Sequence, residues 1–369
     1  MLRIAIIDPI GQKAGLDHYD LSFAKSLNSQ SCQAKVYSNF SGAANEPFVT
    51  KQFSFTFQKN LLNSSGLLIS YLLALRKAKS DNAEIIILHL FHSSWMDLFF
   101  IRLARFSGFR ICIIVHDVES LVLNKGKSKI NNCAQLAHHL IVHNKFSFEE
   151  LIKKIDPAYI NKINIVPHGN YLSLKENTEK DITATYFNLD RNRKYILFFG
   201  MIKKSKGLDV IINAMKNIHS DVDLIIAGRT RDVDFKEYSL LIEKLKLNQR
   251  IHPIVRYITN SERNMLFNFV DLVVIPYRQI YQSGVILLAM SYGIPVIASD
   301  LPANKSFIVD NINGILFKDS NSSDLAEKIN LIIGDDEKIK SISKNAKDFV
   351  AIYHDWNKIG DEFYKILNK

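Results

Sequence analysis

Two stretches in the second half of the chain carry residues suited to binding a phosphorylated ligand. In one, the apolar run Tyr195–Phe199 leads into Gly200-Met-Ile-Lys-Lys-Ser-Lys-Gly207 and then a helical pattern from Leu208 to Lys216. Lysines near a helix N-terminus pair with phosphate, and flanking glycines let the backbone come close to it. In the other, the β-branched run Leu272–Ile275 is stopped by Pro276. The loop 276–282 follows, and Ser283 is a suitable N-cap for the apolar helix Gly284–Tyr292. A loop entering a helix N-terminus from a strand's carboxyl end aims unpaired N–H groups outward, where an anion is stabilised. Each stretch is also compatible with an ordinary strand–loop–helix unit.

The first half offers a different chemistry. Ile111–Val115 runs into His116-Asp117-Val118-Glu119, which puts an imidazole and two carboxylates at the carboxyl end of a strand. Open α/β sheets place their sites at that edge. His89 and His92 close the preceding strand and belong to the same edge, although a lone strand-end histidine also suits a structural role. The loop Asp8–Gly15 precedes the helix Leu16–Leu27, and Gly11 and Gly15 permit a tight backbone where a phosphate or sugar would sit. G-x-G-x-x-G is absent, so this is a plain turn or a site of another kind. His138, His139 and His143 lack cysteine or carboxylate partners at ligand spacing, and no metal is expected.

The elements that must hold these residues alternate along the chain. Short apolar runs at Arg3–Ile7, Lys35–Tyr37, Glu84–His89, Arg110–Val115, His139–Val142 and Asn164–Val166 are separated by helical patterns. The second half repeats the scheme through Tyr195–Phe199, Asp223–Gly228, Leu272–Ile275 and Val296–Ala298. Alternation of this kind predicts α/β architecture with parallel sheets. At 369 residues the chain suits two domains. The expected limits are 1–170, a polar linker 171–194, a second domain 195–350 and a C-terminal helix 351–369. A net charge of +10 fits an anionic partner such as nucleotide phosphates, a lipid diphosphate or a membrane surface. No basic arm or aromatic-interleaved basic patch points to nucleic acid. Three cysteines without pairing or metal spacing fit reduced thiols in the cytoplasm.

The stretch Asp271-Leu-Val-Val-Ile-Pro-Tyr277, Ser283-Gly284, Ala289-Met290 and Gly293-Ile-Pro-Val-Ile-Ala-Ser-Asp300 resembles the donor-site segment of GT-B glycosyltransferases of the family 4 type. Lys206-Gly207-Leu-Asp209, Asp223–Gly228, Ile165-Val-Pro-His-Gly169 and His116-Asp117 resemble further segments of that family. The resemblance implies two Rossmann-like domains facing across a cleft and a nucleotide-diphosphate sugar as donor. It places Lys206, Lys203, Ser283 and the Gly284 amide on the diphosphate, with Gly15, Gly200, Gly207, Gln282 and Val285 lining the donor. Tyr257 and Ile258 fall in the nucleobase segment, and His116 lies at the sugar. It implies no metal and no other cofactor. The acceptor would be a glycan or a polyprenyl-diphosphate-linked saccharide, in cell-surface polysaccharide synthesis. Trp356 would anchor a tail that crosses back onto the first domain.

Three features depart from that pattern or extend it. The family usually has arginine after the first glycine of the lysine loop, where this chain has Met201; Lys203 is the candidate stand-in. The family also carries two glutamates with seven residues between them across the phosphate loop. Here Leu288 precedes Ala289-Met290 and Gln279–Tyr281 holds no acid, which leaves Gln282, Ser283 and Asp300 to take over hydrogen bonding. Retention of anomeric configuration is the expectation. The alternatives are an inverting transferase with Asp17, His18 or Asp117 as general base, or a nucleotide-binding homologue that scaffolds an assembly. Finally, Leu61–Ser80 and Trp95–Arg110 combine apolar or aromatic residues with Arg76, Lys77, Lys79, Arg102, Arg105 and Arg110. Such stretches suit an anionic headgroup layer, or two core-facing helices with solvated basic ends. With no spanning segment or signal peptide, the expected location is cytoplasmic, peripheral on the inner face of the cell membrane.

Overall fold

The apolar runs become strands buried on both faces. In a computed structural model, residues 1–11, 15–41, 46–53, 61–91, 95–116, 118 and 127–369 are described, with the side chains of 61–65 and 127–129 left aside. The chain divides into two compact units, Met1–Gly169 with His354–Lys369, and Asn170–Tyr353.

The first unit holds seven described strands: β1 (Leu2–Asp8), β2 (Cys32–Ser38), β3 (Val49–Lys51), β4 (Ile85–Leu90), β5 (Arg110–Val115), β6 (His139–Val142) and β7 (Ile163–Ile165). They run in the order β3-β2-β1-β4-β5-β6-β7, all pairs parallel, with Ile4 opposite Cα partners Ala34 and Ile85. Ile4, Ile6, Ile87 and Ile114 are almost wholly buried, as two-sided cover requires. One helix, Asp17–Asn28, turns Tyr19, Asp20, Phe23, Ala24 and Leu27 inward. The terminal helix Trp356–Leu367 packs against it through Ile359, Phe363 and Leu367, with the Phe23 and Phe363 rings 4.4 Å apart.

The second unit holds β8 (Lys194–Phe199), β9 (Val222–Ala227), β10 (Ile251–Ile254), β11 (Leu272–Ile275), β12 (Val296–Ser299) and β13 (Ile315–Phe317). Their order is β10-β9-β8-β11-β12-β13, again parallel throughout. Both units are therefore parallel-sheet α/β, as the alternation predicts. The helix Gly284–Tyr292 starts at Ser283, whose hydroxyl accepts from the Ile286 N–H, and ends at left-handed Gly293.

Residues 171–194 are not the linker their polarity suggested. They contain the helix Lys180–Phe187, and Thr183 and Ala184 are buried. Glu176 is tied to Asn264 by two hydrogen bonds of 3.1 and 2.9 Å, so the segment belongs to the second unit. Strand β10 ends before Tyr257 and Ile258; it carries Pro253, which an edge strand tolerates.

On the first unit, Ile69, Leu72 and Leu73 are exposed on the helix Leu61–Ser80, beside exposed Arg76 and Lys77. On the helix Trp95–Phe106, Trp95 and Phe106 stand 68% and 92% exposed near Arg102 and Arg105. Inward, Tyr71 and Phe100 pack ring to ring at 4.2 Å, so these helices have a core face as well as an apolar outer face. No helix among the described residues is long and apolar enough to cross a membrane.

Candidate functional site

Strand order in the second unit reverses at one place. From β8 the chain steps outward through β9 and β10; β11 returns to the other side of β8 and the chain continues outward through β12 and β13. Loops leaving adjacent strands in opposite directions open a crevice at their carboxyl ends. The two loops there are 200–207 after β8 and 276–283 after β11, the two stretches singled out by their lysines and N-cap.

Close backbone packing joins them. Gly207 has φ of +62°, and a Cβ there would lie 1.9 Å from the Pro276 carbonyl oxygen. No other residue fits without moving one loop off the other. Arg278 adds a polar clamp. Its N–H donates to the Ser205 carbonyl at 2.9 Å, and its guanidinium donates to the Lys204 carbonyl at 3.2 Å. The same guanidinium grips Asp209 in bidentate fashion, holding that carboxyl below its ordinary range despite partial burial.

Within this frame the Lys206 ammonium sits 3.5 Å from the centroid of the Tyr277 ring. Tyr277 is buried, which pushes its hydroxyl pKa up, partly offset by a hydrogen bond with Ser283; its carbonyl accepts from the Ser299 hydroxyl at 2.5 Å. Ser283 is itself buried, with Oγ 3.4 Å from the Ile286 nitrogen. That leaves the first-turn amides of Gly284 and Val285 without intrahelical acceptors, as at any helix start. Gly200, with φ of +107°, faces the Val285 side chain. The structure thus gathers Gly200, Lys206, Gly207, Ser283, Gly284 and Val285, with half-buried Gln282 adjoining and the Lys203 carbonyl accepting from the Lys206 N–H at 2.9 Å. Tyr257 and Ile258 lie past the carboxyl end of β10, two strands from β8. Asp300 is engaged by Lys305 at 2.5 Å.

The first unit has its own reversal, between β1 and β4. Asp8 ends β1 and accepts from the Ile10 and Gly11 N–H groups, each at 2.9 Å. Asp20, wholly buried on its helix, interacts with Asp8, and burial raises both carboxyls to about 7. His89 on β4 places Nε2 2.9 Å from Asp20 Oδ1 and Nδ1 2.7 Å from His116 Nε2. The His116 ring stacks on His89 at 5.0 Å and on Phe91 at 4.7 Å. Tyr19 meets His89, His116, His143, His168 and Trp356 edge-on. Burial lowers the pKa of His89, His116, His143 and His168, so these imidazoles are neutral near pH 7.

Gly15 is exposed with φ of +73° beside undescribed residues 12–14, and His18 is buried edge-on to Trp356. His92, Asp117 and Glu119 lie outside the described residues. Among the described residues no three His, Cys, Asp or Glu side chains converge as metal ligands.

Sequence reasoning overlooked Arg278 with Asp209, Tyr277 as the partner of Lys206, and the Asp8–Asp20 pair. Only Asp20 left a usable signal: it occupies an inward position of the spacing set by Tyr19, Phe23, Ala24 and Leu27.

Residues 180–349, which contain both loops of the second crevice, match the family described as "Glycosyl transferases group 1". This region is a group 1 glycosyltransferase domain. Curated relatives include D-inositol 3-phosphate glycosyltransferase of Xylanimonas cellulosilytica, 23% identical over 56% of this chain and 51% of its own length. The lipopolysaccharide 1,2-N-acetylglucosaminetransferase of Salmonella typhimurium is 24% identical over 68% of this chain and 71% of its own. The chain spans about half the length of the curated relatives that match first, at 51%, 56% and 45%. Among solved structures, Anabaena HepE in complex with UDP and glucose matches over 100% of both chains, with a TM-score of 0.79 and 20% identity. That likeness is one of fold: two parallel-sheet α/β units of the GT-B kind, the glycosyltransferase domain forming the second.

Proposed function

We propose that the protein transfers a sugar from a nucleotide-diphosphate sugar to a glycan or polyprenyl-diphosphate-linked acceptor, with retention at the anomeric carbon. The observation that carries this reading is the seating of Lys206 on Tyr277, in the loop that leads into the helix start Ser283–Val285 at the β8/β11 reversal, inside the glycosyltransferase domain. A diphosphate leaving group gains charge as the glycosidic bond breaks. A fixed ammonium and two oriented amides stabilise that charge without reorganising. Lys203 supplies the second cation where the family has arginine. His116 hydrogen-bonds the sugar and moves no proton, because the departing diphosphate takes the acceptor's proton. Nucleotide-sugar chemistry is supported by the UDP and UDP-glucose bound to the Anabaena neighbour.

A thermal-shift series with UDP, GDP and dTDP tests the donor site, since a ligand that binds the folded state raises its apparent stability by mass action. No shift with any nucleoside diphosphate overturns the reading. NMR of the product's anomeric centre, compared with the donor's, decides retention; an inverted product removes that part alone.

We also infer a peripheral place on an anionic membrane face, in cell-surface polysaccharide synthesis. Exposed Trp95, Phe106, Leu72 and Leu73 beside Arg76, Lys77, Arg102 and Arg105 support it. Co-sedimentation with vesicles containing anionic lipid should occur at low salt and fade as salt rises. Absence of binding, or binding indifferent to salt, refutes it.

A further inference from the structure

The Asp8–Asp20–His89 cluster behind His116 has no part in the reaction proposed above. We infer that Asp20, through His89, holds His116 as its Nε2–H tautomer, so that the nitrogen His116 offers to a sugar hydroxyl is the bare acceptor Nδ1. Asp20 and His89 are then positioning residues. The consequence for transfer rests on the placing of His116 at the sugar; the tautomer itself does not.

The argument is a count of protons. Two neutral imidazoles whose nitrogens lie 2.7 Å apart share one proton along that line: one nitrogen carries it and the other accepts. His89 and His116 are both buried enough to stay neutral, so each ring has a single N–H. The direction of the shared bond is decided at the far side of His89, where Nε2 lies 2.9 Å from Asp20 Oδ1. That contact is off the straight line of a ring N–H bond, so it acts through charge rather than through hydrogen-bond direction. Two carboxyls buried together do not both ionise, and in this reading the proton the Asp8–Asp20 pair retains lies between them, while the Asp8 oxygens also receive the Ile10 and Gly11 N–H groups. Asp20 Oδ1 therefore faces His89 with lone pairs. A ring lone pair at Nε2 would be repelled there and an N–H is attracted, so His89 keeps its proton on Nε2. Its Nδ1 is then bare and accepts from His116 Nε2–H. His116 has no second proton, and Nδ1 is left as an acceptor.

Among the described residues nothing else around the ring reverses this. Phe91 and His89 cover its faces, and Tyr19 and His143 approach as rings without formal charge. The opposite arrangement needs a proton on Asp20 Oδ1 donated to His89 Nε2; His116 would then carry Nδ1–H and act as a donor.

Long-range proton–nitrogen correlation spectra of the full chain labelled with 15N-histidine, near neutral pH, distinguish the two. His116 is assigned by its loss in His116→Gln. The expected spectrum shows His116 protonated at Nε2 and bare at Nδ1. In folded Asp20→Leu and His89→Phe the two forms should average. A protonated Nδ1 in the parent, or the same fixed tautomer in folded Asp20→Leu, overturns the inference. The parent spectrum decides alone if neither variant folds. With transfer measured alongside, kcat in Asp20→Leu should fall on the order of 10-fold, as when a carboxylate behind a functional histidine is lost, with the UDP thermal shift unchanged. If the tautomer averages while kcat holds, the tautomer assignment stands and the role of His116 at the sugar fails.

Discussion

Arg278 and Asp209 lie 69 residues apart in sequence and meet through two parallel hydrogen bonds of 2.8 and 2.6 Å. The pair joins the two loops of the second-unit crevice, so the segment bearing Lys206 is fastened to the loop that precedes the helix start. Both side chains are more than a third exposed, and the bond is worth only about 0.2–1 kcal/mol to global stability. Arg278→Ala should therefore melt within a few degrees of the parent yet bind nucleoside diphosphate more weakly. Arg278→Lys should recover little of that loss, because an ammonium cannot reproduce the fork. Equal binding by both variants and the parent removes the clamp from the account.

Lys206→Ala is expected to lose roughly 3 kcal/mol of transition-state stabilisation, or about 100-fold in transfer rate. Its thermal stability should change little, since Lys206 is half-buried over a ring rather than packed in a core. A variant that transfers sugar at the parental rate refutes the role of Lys206. Lys203→Ala should be milder.

Gly207→Ala adds a methyl group where the Pro276 carbonyl oxygen lies 1.9 Å away and where φ is +62°. The strain of a non-glycine residue in that region is about 1–3 kcal/mol, before the clash is counted. Denaturant melts should show at least that loss, with nucleotide binding impaired. A stable, binding-competent alanine variant means that the loops are not packed as described.

Stability should respond to pH through the Asp8–Asp20 pair. Their folded pKa of about 7 lies above the unfolded value of 3.8. Between those values the folded chain binds more protons, so this contribution to stability shrinks as pH rises from about 4 to about 7 and is flat above. The buried histidines act with the opposite sign. Their lowered pKa values, about 4 for His143, cost stability as pH falls below 6.5. Asp20→Leu should therefore gain stability over the parent by about 1–4 kcal/mol near pH 8, with a smaller gain near pH 5. Urea melts across that range check it; a gain independent of pH contradicts the assignment.

Phe363→Ala should cost about 3–5 kcal/mol, because Phe363 is fully buried and packs on Phe23. Near-UV circular dichroism with a thermal melt reads the loss, and a change below about 1 kcal/mol would mean the terminal helix is a dispensable appendage.

Legibility in the sequence followed punctuation and locality. Leu272–Ile275 and Gly284–Tyr292 are read to the residue, because Pro276, Ser283 and Gly293 mark their ends with side-chain and backbone chemistry. Strands β3 and β13, three residues each, are too short to show a period of two, and Pro253 disguises β10. The helix Lys180–Phe187 is hidden by its polarity, which suits a helix covering a core on one side only. At the site, residues neighbouring along one loop could be grouped from sequence. Partners on different segments could not: nothing in a linear pattern pairs Arg278 with Asp209, Lys206 with Tyr277, or Asp20 with His89.

The terminal helix also sets an order of events during synthesis. Residues 170–353 form the second unit without interruption, so every contact in it is available once Tyr353 has left the ribosome. The first unit, although translated earlier, needs Ile359, Phe363 and Leu367 to close the core around Phe23 and Leu27. The half made first is thus completed last. Until translation passes Leu367, the part of the helix Asp17–Asn28 that Ile359, Phe363 and Leu367 cover stays open, and it is there that a chaperone would have reason to bind.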